Sequence, residues 1–362
     1  MSNRLPYIDN LKGLLIFLVV LGHLNEYMDV SYCNLAVAIS NFIYTFHMPL
    51  FLFCSGLFVS RAYEKGKWSG QVTSGIVFLI LYVAFYLAKY LVDSLCGAMP
   101  GFNPLIMNSG SWYLFVLSIF LLLSPVISKL KFGWALTISL LLSAANTAFN
   151  ADMAFLSSSR LFTYLPWFVL GYFVTGPSLM NAKRDFLQKP RSTRVLIPML
   201  SVGVLVTYLL LLYIVFPDNV VGLIRKLSTG LHAIGDIKWV LGFKGTAMVV
   251  ALVLCRLLHY LLVAVLCLCV LALCPANECA LTKWGRNSLQ VYVSHLLILY
   301  VINDLGGFDQ LVTPFVLAGA LWAVFIPIVV AVPVTALLAI SDKPNRWVAN
   351  LKSKVASAVL NP

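Results

Sequence analysis

The sequence predicts an all-α fold, a polytopic transmembrane helical bundle of about ten spans with both termini in the cytoplasm. Three observations carry that expectation. Apolar residues make up 61% of the chain and charged residues 10%, and the mean hydropathy is +0.92; a soluble domain holds roughly 45–50% apolar and 25% charged residues. The apolar residues gather into runs of about 18–25, the length that crosses a hydrocarbon core of about 30 Å. Lys and Arg concentrate in alternate connections between those runs, as the positive-inside rule requires.

The runs place spans near 8–27, 36–58, 74–94, 112–129, 134–149, 161–176, 195–216, 245–273, 288–304 and 312–339. The first is followed by Asn25, Glu26 and Tyr27 rather than by a small-residue cleavage site, so it is expected to remain as a span. In the second, Pro49 cannot donate to the Thr45 carbonyl, which predicts a kink beside His47. The fifth and sixth are short. Between the seventh and eighth, Leu223 to Ile234 reads as an amphipathic piece at the outer interface. The eighth is long and carries Arg256 and His259, which fits one tilted span or an interfacial piece followed by a span. The ninth opens at Asn287, a good N-cap, with Gln290 three residues on to complete a capping box. Residues 1–342 thus form one membrane domain, and 343–362 a cytoplasmic C-terminal tail. No internal repeat is visible, which weakens an inverted-repeat transporter.

The charges test this layout. One side holds Arg4, then Arg61, Lys65 and Lys67, then Lys129 and Lys131, and continues so to Lys352 and Lys354. On the other side, three of the five loops have no Lys or Arg at all. The net charge of +12 therefore reflects membrane topology, and nucleic acid is not expected as a partner. The eight cysteines show no paired spacing. Cys274 and Cys279 would need two further ligands for zinc, and no clustered His supplies them, so no metal is expected.

A titratable side chain inside a span costs at least about 2.5–3.5 kcal/mol on insertion scales. Lys12 and His23 both lie in the first span. Eleven residues bring a helix back to within about 20° of its starting direction with a rise of about 16 Å. The two side chains thus point the same way without touching. A donor with a polyanionic handle and a distant reactive end, such as coenzyme A, matches that geometry, Lys12 holding phosphate and His23 meeting the thioester or an acceptor hydroxyl. The alternative is that Lys12 snorkels to headgroups and His23 bonds a neighbouring helix. His47, at similar depth in the next span, is a second acid/base candidate. Ser55 and Gly56 read as a close-packing notch. Arg286 adds positive charge where anionic phosphates would approach a helix N-terminus, and His295 lies further into the same span.

In order along the chain stand RLPYIDNLKGLLIFLVVLGH (Arg4 to His23), FHMPLFLFCSG (Phe46 to Gly56), SWYLFVLS (Ser111 to Ser118), YLPWFVLGY (Tyr164 to Tyr172) and GRNSLQVYVSH (Gly285 to His295). Together they resemble the acyltransferase 3 family of integral membrane O-acyltransferases, in particular its fucose 4-O-acetylase-like branch. The first segment is the most specific, combining Asp9, Lys12 and His23. The resemblance implies ten spans in a bacterial cytoplasmic membrane and cytosolic acyl-CoA, usually acetyl-CoA, as donor. The acceptor it implies is a hydroxyl of a cell-surface polysaccharide or lipid-linked sugar. It assigns His23, with His47 as second candidate, to catalysis. Lys12 and Arg286 would bind the donor, and Asp9 and His295 the acceptor. The chain departs from the family at the third span, where KWSGQVTSGIVFL has only Lys65 and Lys67 nearby and no Arg after Arg61. Loop acids Asp29, Asp93 and Asp236 could bond sugar hydroxyls or simply be solvated. The alternative function is a transporter or flippase of a lipid-linked or small acidic molecule, with Lys12, Lys89, Arg256 and the histidines lining its path.

Overall fold

The computed structural model describes residues 5–28, 33–59, 68–97, 101–106, 110–149, 155–230, 242, 245–307 and 320–360. Among them every regular element is a helix. They are α1 (Pro6–Tyr27), α2 (Asn34–Gly56), α3 (Trp68–Leu95), α4 (Trp112–Ile127), α5 (Phe132–Phe149), α6 (Ser158–Val174) and α7 (Gly176–Gln188). Then follow α8 (Arg191–Leu210), continued by a π-turn over Leu211–Val215, α9 (Asp218–Thr229), α10 (Gly245–Leu273), α11 (Ala280–Arg286), α12 (Ser288–Asp304), α13 (Ala320–Leu338) and α14 (Lys343–Leu360). Five of these, α1, α2, α3, α8 with its π-turn and α10, are long and apolar enough to cross a membrane. A bent pair, Val324–Leu338 with Lys343–Ala358 at 54°, would make a sixth. The helices α4 and α5 are apolar but shorter.

The helix bounds follow the apolar runs closely, and 245–273 and 288–304 coincide end to end. An apolar run of span length has no other way to satisfy its backbone in lipid. The amphipathic piece begins earlier than expected, at Asp218, and stops at Gly230, whose positive φ of 68° ends the helix. The capping box at Asn287 does not form. Asn287 Nδ2 donates to the Ala339 carbonyl at 2.8 Å and Gln290 Nε2 donates to that of Leu338, so both amides tie α12 to the end of α13. A capping box forms instead at Cys279 and Thr282.

The bundle is sorted by exposure. Helices α1 and α2 are mostly buried, whereas α8 and the outer face of α10 present Leu196, Met199, Leu200, Leu258 and Leu261 outward. Exposed leucines on a continuous helical face are what lipid demands and water would not tolerate. Helix α1 is the axis, packed against α11, α2, α13 and α12. Several glycines bring backbones into contact, Gly285, Gly171 and Gly56 among them. A Cβ on Gly285 would meet the Asp9 carbonyl and lie 2.9 Å from Gly13 N, while one on Gly171 would lie 2.8 Å from the Phe53 carbonyl carbon. One on Gly56 would meet the Phe168 carbonyl and lie 2.7 Å from Tyr172 N. The α2–α6 crossing is therefore a small-residue contact, with Gly56 in the packing role. Ser55 instead points aside, its Oγ 3.1 Å from the Tyr113 hydroxyl.

Candidate functional site

At the N-terminal end of α1 the polar residues form one cluster. Asp9 Oδ2 accepts from Arg286 Nε at 3.4 Å, and Arg286 is also paired with Glu278. The Glu278 carboxylate, then that of Asp9, holds the guanidinium's pKa above its ordinary value. Asn10 Nδ2 donates to the carbonyls of Pro275 at 2.9 Å and Asn277 at 2.7 Å, fixing the loop before α11 onto α1. Lys12 Nζ lies 5.7 Å from the centre of the Phe58 ring. Lys183 Nζ donates to the Ala272 carbonyl at 2.7 Å and sits over the Tyr7 ring.

The C-terminal end of α1 opens on a cavity of about 720 Å³. His23, Glu26 and Tyr27 supply one wall. Successive turns of α3 supply Tyr86, Lys89, Tyr90 and Asp93, and Tyr300 closes it from α12. Lys89 is ion-paired with Asp93 and lies 4.9 Å over the Tyr300 ring. Phe102 stands edge-on to Tyr86 and Tyr90 at 5.5 and 5.4 Å. The walls are thus aromatic with a few fixed polar groups, the composition of a small-molecule site.

His23 is 18% exposed, with Nδ1 3.7 Å from Glu26 Oε2. Glu26 in turn is ion-paired with Arg225, which reaches across from α9. The guanidinium lies 4.0 Å over the Tyr44 ring and donates to Ser40 Oγ at 3.3 Å and Asn41 Oδ1 at 3.4 Å. One end of the amphipathic helix is thereby strapped to the histidine's carboxylate. The ring of His295 lies 5.5 Å from that of His23, centre to centre, and is tilted by 52°. Its Nδ1 donates to the Val291 carbonyl at 2.7 Å, and its Nε2 is buried without a hydrogen-bond partner. Gly110 makes room here, because a Cβ on it would stand 2.8 Å from Leu296 and 3.5 Å from the His23 ring.

The structure therefore brings His23 and His295 together, and separately Asp9 and Arg286. Lys12 belongs to the second group by position, about 16 Å along α1 from His23. His47 is 3% exposed, donates from Nδ1 to the Ile43 carbonyl at 2.8 Å and packs edge-on to Tyr44; it is not among the residues lining the cavity. Asp93 is paired with Lys89, whereas Asp29, Asp236, Arg61, Lys65 and Lys67 lie outside the described residues. Arg256 is not among the residues lining this cavity. It is fully buried and donates to Thr147 Oγ1 at 2.8 Å and to the Leu227 carbonyl at 2.6 Å.

Sequence reasoning missed Glu26 and Arg225 as site residues. Glu26 stands three residues after His23, a spacing that puts both on one helix face, so its role was legible. Arg225 carried no such signal, since its partner lies on another helix. Among the described residues, no group of three His, Cys, Asp or Glu side chains is placed to hold a metal ion.

A family model described as an acyltransferase domain, of the acyltransferase 3 type, matches residues 5–339. No curated protein and no solved structure matches the chain.

Proposed function

This chain belongs to the acyltransferase 3 family, and from that membership we propose that it is an O-acetyltransferase moving an acetyl group from cytosolic acetyl-CoA to a hydroxyl of a surface polysaccharide or lipid-linked sugar. The observation that carries this is His23 on the wall of a 720 Å³ cavity with a carboxylate at its Nδ1. A carboxylate there favours the tautomer whose Nε2 lone pair faces outward, the form a base or nucleophile needs.

In this proposal ten helices span a bacterial cytoplasmic membrane with both termini inside, so the Asp9–Arg286 end of α1 is cytosolic and the cavity faces the outer leaflet. Lys12 and Arg286 hold the donor's phosphates, Arg286 exchanging the exposed Glu278 for them. The thioester then reaches His23, one helix face and about 16 Å away. Acceptor sugar rings pack on the tyrosine faces of the cavity, and Asp93 and Asn103 meet their hydroxyls. The fucose 4-O-acetylase-like segments of the sequence support an acetyl rather than a longer acyl group.

The test compares surface glycans from cells with and without the gene by mass spectrometry. A difference of one acetyl unit, lost again in His23→Ala, is the expected result. Unchanged glycan acetylation in His23→Ala would remove His23 from the chemistry.

A further inference from the structure

His23 lines the cavity and His295 is buried directly behind it, and a single-step transfer needs only one of the two histidines. His295 is 1% exposed. A carbonyl oxygen can only accept, so the contact between Nδ1 and Val291 O places the ring proton on Nδ1. In the neutral ring Nε2 is then a lone pair, and it is the one atom of this imidazole left buried with no partner. A buried acceptor without a donor is costly, which calls for a donor that comes and goes. Ring centres 5.5 Å apart set His295 directly against His23, so a group bound at one imidazole lies beside the other.

We propose, resting on the acyltransferase reading, that the transfer runs in two steps in which His23 is the nucleophile and His295 Nε2 is the catalytic base for the acceptor hydroxyl. In the first step His23 Nε2 attacks the thioester carbonyl carbon. The N–C bond forms, the C–S bond breaks with its electron pair on sulfur, and the Nδ1 proton passes to Glu26. Acylated His23 has no lone pair left at Nε2 and cannot also serve as base. In the second step His295 Nε2 takes the proton of the acceptor hydroxyl, the O–C bond forms, and the C–N bond breaks with its pair returning to His23. Glu26 gives its proton back to Nδ1, and the proton on His295 leaves to the coenzyme A thiolate through solvent. Each histidine has one role, and the ester and free thiol account for every atom.

The experiment incubates membranes carrying the full chain with radiolabelled acetyl-CoA and follows label in protein and in non-protein acceptor. The wild type should show a short-lived protein label and steady transfer. His295→Gln should strand label on the protein while transfer falls about 100-fold, the scale of a general base. His23→Gln should give neither signal. The stranded label itself reports a folded donor site. If His295→Gln transfers at the wild-type rate, or loses protein label and transfer together, the assignment is wrong. A measurement on the wild type stands in if the variant does not fold: after donor is removed, loss of preloaded label should be slower in heavy water, and equal rates in both solvents overturn the base role. Transfer without any protein label in the wild type sinks the two-step inference but keeps the acyltransferase; neither label nor transfer in the wild type sinks the acyltransferase reading itself.

Discussion

Replacing Glu26 by Gln removes one charge while keeping shape and most hydrogen-bonding capacity. The carboxylate stands 3.7 Å from His23 Nδ1. A unit charge pair at that distance is worth about 4 kcal/mol at an effective dielectric of about 20, and about 1 kcal/mol in bulk water. The Glu26 side chain is 42% exposed, so solvent screening places the true figure in the lower half, about 1–2 kcal/mol. If the charge on His23 develops only as the reaction proceeds, that loss falls on kcat, about 5- to 30-fold, with KM for the donor little changed. The assay is acetyl transfer from labelled acetyl-CoA in membranes, measured across donor concentration. A kcat equal to wild type would refute the role of Glu26, and so would a loss confined to donor KM. Glu26→Ala should be worse than Glu26→Gln, because Arg225 then loses its whole partner at the cavity rim.

Two further outcomes follow from the packing. Gly171→Ala sets a Cβ against the Phe53 backbone, 2.8 Å from its carbonyl carbon, and should destabilise by about 1–3 kcal/mol; thermal unfolding in detergent measures it, and an unchanged midpoint would mean that α2 and α6 separate freely. Arg256→Met should cost on the order of 3 kcal/mol through its lost hydrogen bonds to Thr147 and Leu227, yet leave the folded fraction with wild-type transfer. Loss of transfer at unchanged stability would instead place Arg256 on a substrate path, as a transporter requires.

Helices were legible because lipid leaves a long apolar run one solution, and so the helices over 245–273 and 288–304 agree with their runs residue for residue. The Lys12–His23 spacing was legible because both sit on one rod. What escaped was contact between rods. Nothing local announces that His295 comes to rest beside His23, or that Arg225 crosses to Glu26. The expectation at Asn287 failed for the same reason: its local pattern fits a cap, but the side-chain oxygen that would cap accepts instead from Asn345 on another helix. Gly285 likewise has its cause on another helix, the Asp9 backbone lying against it.

Helix α1 runs without interruption from Pro6 to Tyr27, and this constrains how such a chain can vary over time. One residue inserted between positions 12 and 23 would turn the imidazole by about 100° and lift it by about 1.5 Å, swinging it away from α12. Substitution can retune either end of the rod independently, but its length is locked, because every small change in length is also a large change in bearing.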